Sequence, residues 1–143
     1  GLRPHQSRAP RVLANGPRWL ALLVDSRDAV LGLQPDHARL HDLGQDVGVA
    51  YIAPDTSSEG VPNSAVRAFS PSLGTSEDPV TGSLNASLAQ WLIGEGLAPS
   101  AYRVAQGECR GRAGRVHILQ EDGGQVWVGG RCLTAIEGRV HFP

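Results

Sequence analysis

The chain has no lysine: all 13 of its basic residues are arginines. That excludes a lysine Schiff base and a lysine-anchored pyridoxal phosphate. It has no methionine either, not even at residue 1, so a processed product, a fragment or a tag-cleaved chain is expected. Aromatic residues make up only 5% of the chain, and Trp19, Trp91 and Trp127 read as packing residues. None of them forms the aromatic and basic platform that single-stranded nucleic acid requires. The formal net charge is −1, too little for a broad field that would favour nucleic acid or an anionic membrane surface. No apolar run approaches the roughly 20 residues of a membrane-spanning helix, and no signal-peptide pattern is present. A cytoplasmic protein without nucleic-acid or membrane partners is therefore expected. Cysteine is scarce. Cys109 and Cys132 lack CxxC spacing and are expected as two reduced thiols, with one disulfide as the alternative. His37 and His41 lie four apart on a short expected helix, but no third clustered ligand accompanies them, so no metal site is expected.

What is present fits one domain. At 143 residues the chain can bury about 68–70% of its unfolded surface. Residues 1–10 read as an irregular lead-in. Trp19 to Val24 is a continuous apolar run bounded by Pro17 and Asp25, the pattern of a buried strand. Asp28 to Leu33 reads as a second short strand. Pro35 and Asp36 open a helix that runs to about Leu43 and stops at Gly44. Val47 to Ala53 and Ala65 to Phe69 read as strands, with a polar, Gly/Pro-bearing surface loop over 55–63 between them. The segment 82–93 is apolar nearly all round, which marks a buried helix. Ala101 to Ala105, Arg115 to Leu119 and Gln125 to Val128 read as strands, the last two joined by a turn at Glu121–Gly124. Leu133 to Ile136 and Arg139 to Phe142 are expected to close the sheet. The class is α+β: a mixed sheet, or half-barrel, wrapped around one buried central helix.

The most informative stretch is Glu77-Asp78-Pro79-Val80-Thr81-Gly82-Ser83, which leads directly into that helix. Proline fixes the backbone before the turn. Thr81, Gly82 and Ser83 then present backbone N–H groups where the helix begins. Those groups have no partner within the helix, and the macrodipole adds partial positive charge there. A carboxylate or phosphate is well held at such a point. Glu77 and Asp78 stand beside it as candidate acid/base groups. The competing reading is an ordinary helix start, with Ser83 as a cap and Asp78 as a turn residue or dipole partner.

This stretch resembles the central motif of the PhzF family, the phenazine-biosynthesis-like isomerases. Arg67-Ala68-Phe69-Ser70-Pro71 with Gly74 is similar to the segment that precedes the motif in that family. Gln106-Gly107 with Gly111-Arg112 is similar to a later one. Val126 to Gly130 and Ile136-Glu137-Gly138 resemble its closing strands. The matches run in the family's order from about Asn15 to the end. The resemblance implies the diaminopimelate-epimerase type of fold, two related lobes facing each other, of which residues 1–143 look like the second, C-terminal lobe alone. It also implies proton transfer within a small carboxylated substrate without a cofactor. The family's principal glutamate and its partner histidine belong to the first lobe and find no counterpart here.

By the same resemblance Asp78 is a catalytic aspartate that contacts substrate. Ser83 stands with it at the reacting end, and Pro79, Thr81 and Gly82 shape the substrate site. Physical chemistry agrees: a carboxylate in a closed, desolvated site can exchange a proton near neutrality, and a serine hydroxyl can stabilise developing negative charge. Glu77 is expected in a structural or supporting role. Related racemases place a thiol where Ser83 stands, so thiol chemistry is not expected. Arg112 is weighed as a carboxylate clamp against a structural ion pair, the latter favoured. The expected partner is a first lobe of the same family or a second copy of the chain, meeting an apolar surface around Pro79 to Ser83. Two other readings are kept: a half-length homodimer that binds an anion, and a non-catalytic scaffold with the same fold.

Overall fold

The computed structural model describes residues 10–54 and 60–142. The expected lead-in, apart from Pro10, and residues 55–59 of the expected loop lie outside the described residues. Eight strands form one sheet: β1 (Arg11–Ala14), β2 (Arg18–Leu23), β3 (Asp46–Tyr51), β4 (Ala65–Ser70), β5 (Thr75–Asp78), β6 (Ala101–Gln106), β7 (Gly114–Gln120) and β8 (Val126–Gly129). Their order is β1-β2-β3-β4-β6-β7-β8, with β5 also on β4. The β2/β3 and β4/β6 pairs are parallel and the others antiparallel, so the sheet is mixed.

The parallel pairs are bridged by helices, as parallel strands require. Between β2 and β3 lie α1 (Arg27–Leu31) and α2 (His37–Leu43); between β4 and β6 lies α3 (Gly82–Gly94). Strand alternation divides the apolar residues between the two faces. Trp19, Ala21, Ala50, Val66 and Ala68 pack with Leu84, Leu88 and Leu92 of α3. On the other face Val47, Val49, Ala65 and Phe69 pack with Val30 of α1 and, at the margin, Leu40 of α2. Leu88 and Leu92 are 1% and 0% exposed. α3 touches both edge strands, β1 and β8, as well as β7. One helix can reach both edges of a sheet this wide only if the sheet curls around it, which gives a half-barrel. Gly48 lets the two approach: a Cβ there would lie 2.4 Å from Leu84 Cδ1.

Local sequence accounts for the helix ends. Asp36 caps α2 by accepting from the Arg39 N–H, and Gly44 ends it in the left-handed region at φ 62°. Three assignments differ from the expectation. Residues 28–33 are not a strand. Ser26 accepts from the Ala29 N–H, so the short apolar run Ala29-Val30-Leu31 winds into α1; a run this short fits either state by pattern alone. Leu133–Ile136 and Arg139–Phe142 do not close the sheet. Residues 130–142 form no strand, and Leu133, Ile136, Val140 and Phe142 are all exposed. Their alternation is a strand signal, but a strand also needs a paired edge and a face to bury, and this one has neither among the described residues. Finally, the run from Glu77 to Ser83, expected as a loop that turns into the helix, begins within strand β5 (Thr75–Asp78). β1 likewise carried no signal strong enough to be recognised.

A candidate active site at the start of α3

The second edge of β4 changes partner along its length. Ala65 and Val66 pair with Ala105 and Gln106 of β6, whereas Ala68 and Ser70 pair with Asp78 and Thr75 of β5. β5 and β6 therefore diverge, and the turn Pro79–Thr81 lies between their ends. The first turn of α3 opens at this split.

Gln106, 1% exposed, bridges the split with its amide group. Its Oε1 accepts from the Thr81 N–H at 3.1 Å and from Asn85 Nδ2 at 2.8 Å. Its Nε2 donates to the Asp78 carbonyl at 3.2 Å and to Thr81 Oγ1 at 2.9 Å. Two donors and two acceptor positions are the full capacity of the amide. Asn85 also donates to the Thr81 carbonyl at 2.8 Å. Gly107, at φ 91°, leaves room for the turn: a Cβ there would lie 2.6 Å from the Pro79 carbonyl oxygen. The Gln-Gly pair thus holds the Asp-Pro-Val-Thr turn in place.

The network ends on Asp78. Thr81 Oγ1 donates to Asp78 Oδ2 at 2.7 Å. That bond uses the hydroxyl of Thr81, the N-cap residue of α3, so among the described residues no side chain caps the first turn. The N–H groups of Gly82, Ser83 and Leu84 are left for an external acceptor, since the first intrahelical bond runs from Asn85 N–H to the Thr81 carbonyl. Ser83 Oγ accepts from Trp19 Nε1 at 3.2 Å, which leaves its own hydroxyl hydrogen to donate. A cavity of about 290 Å³ opens here, lined among others by Asp78, Thr81, Gly82, Ser83, Trp19 and Ser70.

Glu77 faces away from this cavity. Its two carboxylate oxygens accept from Arg67 Nε and Nη2, both at 2.9 Å, with both side chains buried. Arg67 Nη1 also donates to the Leu33 carbonyl at 2.8 Å and to that of Val30 at 3.3 Å. The Glu77 carboxylate raises the pKa of Arg67 above its ordinary value, chiefly through the hydrogen bond, against the opposing effect of burial. This pair ties β5 to β4 and closes the carboxyl end of α1, so the adjacent acids Glu77 and Asp78 point to opposite duties.

The structure thus brings Asp78, Thr81, Gly82 and Ser83 to one cavity, with Pro79 in the turn behind them. Arg112 is exposed, forms no ion pair among the described residues and does not line the cavity. Neither role weighed for it is seen. Cys109 and Cys132 are free and exposed. Sequence reasoning did not find Gln106, Asn85 and Trp19 as supports of the site. A polar residue inside an apolar helix (Asn85) and a Gln-Gly pair at a strand end were the available signals. Among the described residues no helix is long and apolar enough to cross a membrane.

The chain matches the PhzC-PhzF family, described as phenazine biosynthesis-like protein, over residues 2–138. It is 34% identical over 140 residues to an uncharacterized isomerase of Deinococcus radiodurans, covering 90% of this chain and 45% of that protein. It is 31% identical to the trans-2,3-dihydro-3-hydroxyanthranilate isomerase of Pseudomonas aeruginosa, covering 92% of this chain and 47% of that one. A crystal structure of a putative phenazine biosynthesis PhzC/PhzF protein from Clostridium difficile superposes with a TM-score of 0.64 at 25% identity, covering 99% of this chain and 53% of the other. The chain spans about half the length of these relatives. It is a member of the phenazine-biosynthesis-like PhzC-PhzF family.

Proposed function

We propose that this chain supplies the second, C-terminal half of a PhzF-like isomerase, a lobe of the diaminopimelate-epimerase type with α3 at its centre. The reaction is a cofactor-independent proton transfer on a small carboxylated metabolite in the cytoplasm. The observation that carries this reading is the uncapped first turn of α3, with Asp78 and Ser83 on one cavity. The free N–H groups of Gly82 and Ser83 bind an oxyanion, most simply the substrate carboxylate. Asp78 contacts the substrate and handles a proton; its orientation is set by Thr81, which Gln106 sets in turn. Ser83, held by Trp19, donates to negative charge that develops during the transfer. Pro79, behind Thr81, fixes the backbone that presents these groups. One relative bears the name of an isomerase of a dihydro-hydroxyanthranilate, a small carboxylated molecule, which agrees with this substrate class.

The cavity needs a cover. Leu73 and Val80 beside it are 72% and 45% exposed, and the apolar residues of 130–142 are more exposed still. A facing first lobe of the same family buries such surface and completes the acid/base pair. A homodimer whose two α3 starts face each other is the second reading, favoured by the same exposed residues; light scattering of the chain alone at millimolar concentration separates the two. The function is tested by pairing the chain with the first half of the Deinococcus radiodurans relative and following deuterium uptake from D₂O into small carboxylated substrates. Asp78→Asn is expected to abolish uptake while the fold persists. Ser83→Ala is expected to slow it by about 10²–10³-fold. Undiminished uptake in both variants would leave these residues as helix-start structure only.

A further inference from the structure

Ser70 lines the same cavity, and its hydroxyl has no hydrogen-bond partner among the described residues although Ser70 is 2% exposed. Its neighbours in the site contrast with it. Gln106 uses its whole capacity, Thr81 both donates and accepts, and Asn85 makes two bonds. A buried hydroxyl without a partner is destabilising, and alanine at the same place would avoid that. Ser70 follows Val66 and Ala68 on β4, and those two pack against α3. Strand alternation therefore aims Ser70 at the α3 side of the sheet, where the uncapped N–H groups lie. The irregularity in this pairing falls on β5, where three steps from Thr75 to Asp78 match two on β4 from Ser70 to Ala68, so β4 keeps its alternation.

We propose that Ser70 is a ligand-binding residue: its hydroxyl donates to the oxyanion held by the N–H groups of Gly82 and Ser83. This rests on the reading of the site given above. It deepens that reading by specifying the ligand. The acceptor end reaches two places at once, the first turn of α3 and the β4 strand opposite, which suits the two oxygens of a carboxylate. The rest of the ligand lies against Trp19, Leu73 and Val80 and is apolar in character. A bare inorganic anion satisfies the first requirement but not the second.

The test uses the 143-residue chain with acetate and benzoate as probes, titrated into isotope-labelled protein and followed by NMR. In the wild type the signals of Ser70, Gly82 and Ser83 are expected to move together, with benzoate binding more tightly than acetate. Ser70→Ala is expected to weaken benzoate binding about tenfold, the loss of one hydrogen bond to a charged acceptor, with no fall in the melting temperature of the unliganded chain. If Gly82 and Ser83 respond while Ser70 does not, or Ser70→Ala binds as the wild type does, the role of Ser70 is overturned and the anion site stands. If Ser70→Ala lowers the melting temperature and leaves binding unchanged, its hydroxyl is structural. If no signal of the three moves with either probe, both the anion site and the role of Ser70 fail. The wild-type titration decides the matter even where the variant does not fold.

Discussion

Replacing Gln106 with leucine tests the claim that one amide holds the site together. The change keeps the volume roughly and removes all four hydrogen bonds. The Thr81 N–H and the Asp78 carbonyl lose the partners that Gln106 gives them, while Asn85 keeps the Thr81 carbonyl and the Thr81 hydroxyl keeps Asp78. An orphaned buried group costs about 1–3 kcal/mol, so two cost about 2–6. Leucine returns about 1.5–3 kcal/mol by burying apolar surface. The expected net loss is about 2 kcal/mol, within a range of about 0.5–3, against the roughly 5–15 kcal/mol that holds a typical domain. Urea unfolding with linear extrapolation measures it. Hydrogen exchange at the Thr81 amide gives a local readout, and protection there should fall by more than the global loss explains, because the turn opens without unfolding the sheet. A loss below about 0.5 kcal/mol with Thr81 still protected would refute the argument. It would mean that the turn is held by Gly107 and the backbone alone.

Arg67→Met should cost about 3–5 kcal/mol, since it leaves Glu77 charged, buried and alone; the double variant Arg67→Met, Glu77→Leu should recover much of this, as a double-mutant cycle in urea would show. Leu88→Ala should lower stability by about 2–5 kcal/mol, and a value under 1 would mean that α3 is not packed as described. Burial also pushes the Tyr102 phenol above its ordinary value of 10.0. The unfolded chain then loses this proton first, so stability should fall as pH rises past about 10, by up to about 1.4 kcal/mol per pH unit. Tyr102→Phe should remove that part of the slope in a pH series of melting curves.

The sequence carried some elements openly and hid others, for physical reasons. α2 announced itself through Asp36 and Gly44, because capping is a local interaction between neighbours in the chain. α3 announced itself through its apolar circumference, because a helix that buries seven of its 13 residues can have little polar face. The cluster at Asp78 to Ser83 was legible because it is contiguous. What supports it was not. Gln106 stands 25 residues from Thr81, and Trp19 stands 64 from Ser83. Only the register of β2 to β6 brings them together, and register over such distances is not written in any local pattern. The tail from 130 to 142 misled for the opposite reason. Its alternation is a strand signal, but pairing depends on an edge that must come from elsewhere.

The contrast between Glu77 and Asp78 shows how the fold separates two chemically similar neighbours. Successive side chains on a strand point to opposite faces. β5 therefore sends Glu77 to the face where α1 lies and Asp78 to the face where α3 begins. On the first face Arg67, reaching from β4, engages both oxygens of Glu77 and holds that carboxylate away from the cavity. On the second face a hydroxyl, itself held by a buried amide, takes one oxygen of Asp78, a residue that lines the cavity. A reading based on residue type alone treats both acids as candidates. The alternation of one short strand decides between them, and it predicts that exchanging the two (Glu77→Asp with Asp78→Glu) will harm both faces although the net charge is unchanged. Aspartate is too short by one methylene to span the bidentate pair with Arg67, and glutamate at 78 is too long to keep its 2.7 Å bond to Thr81. Such a variant should be less stable in urea and should bind benzoate more weakly. Wild-type stability and binding in the exchanged protein would show that the face of the sheet, not the length of the acid, is all that matters.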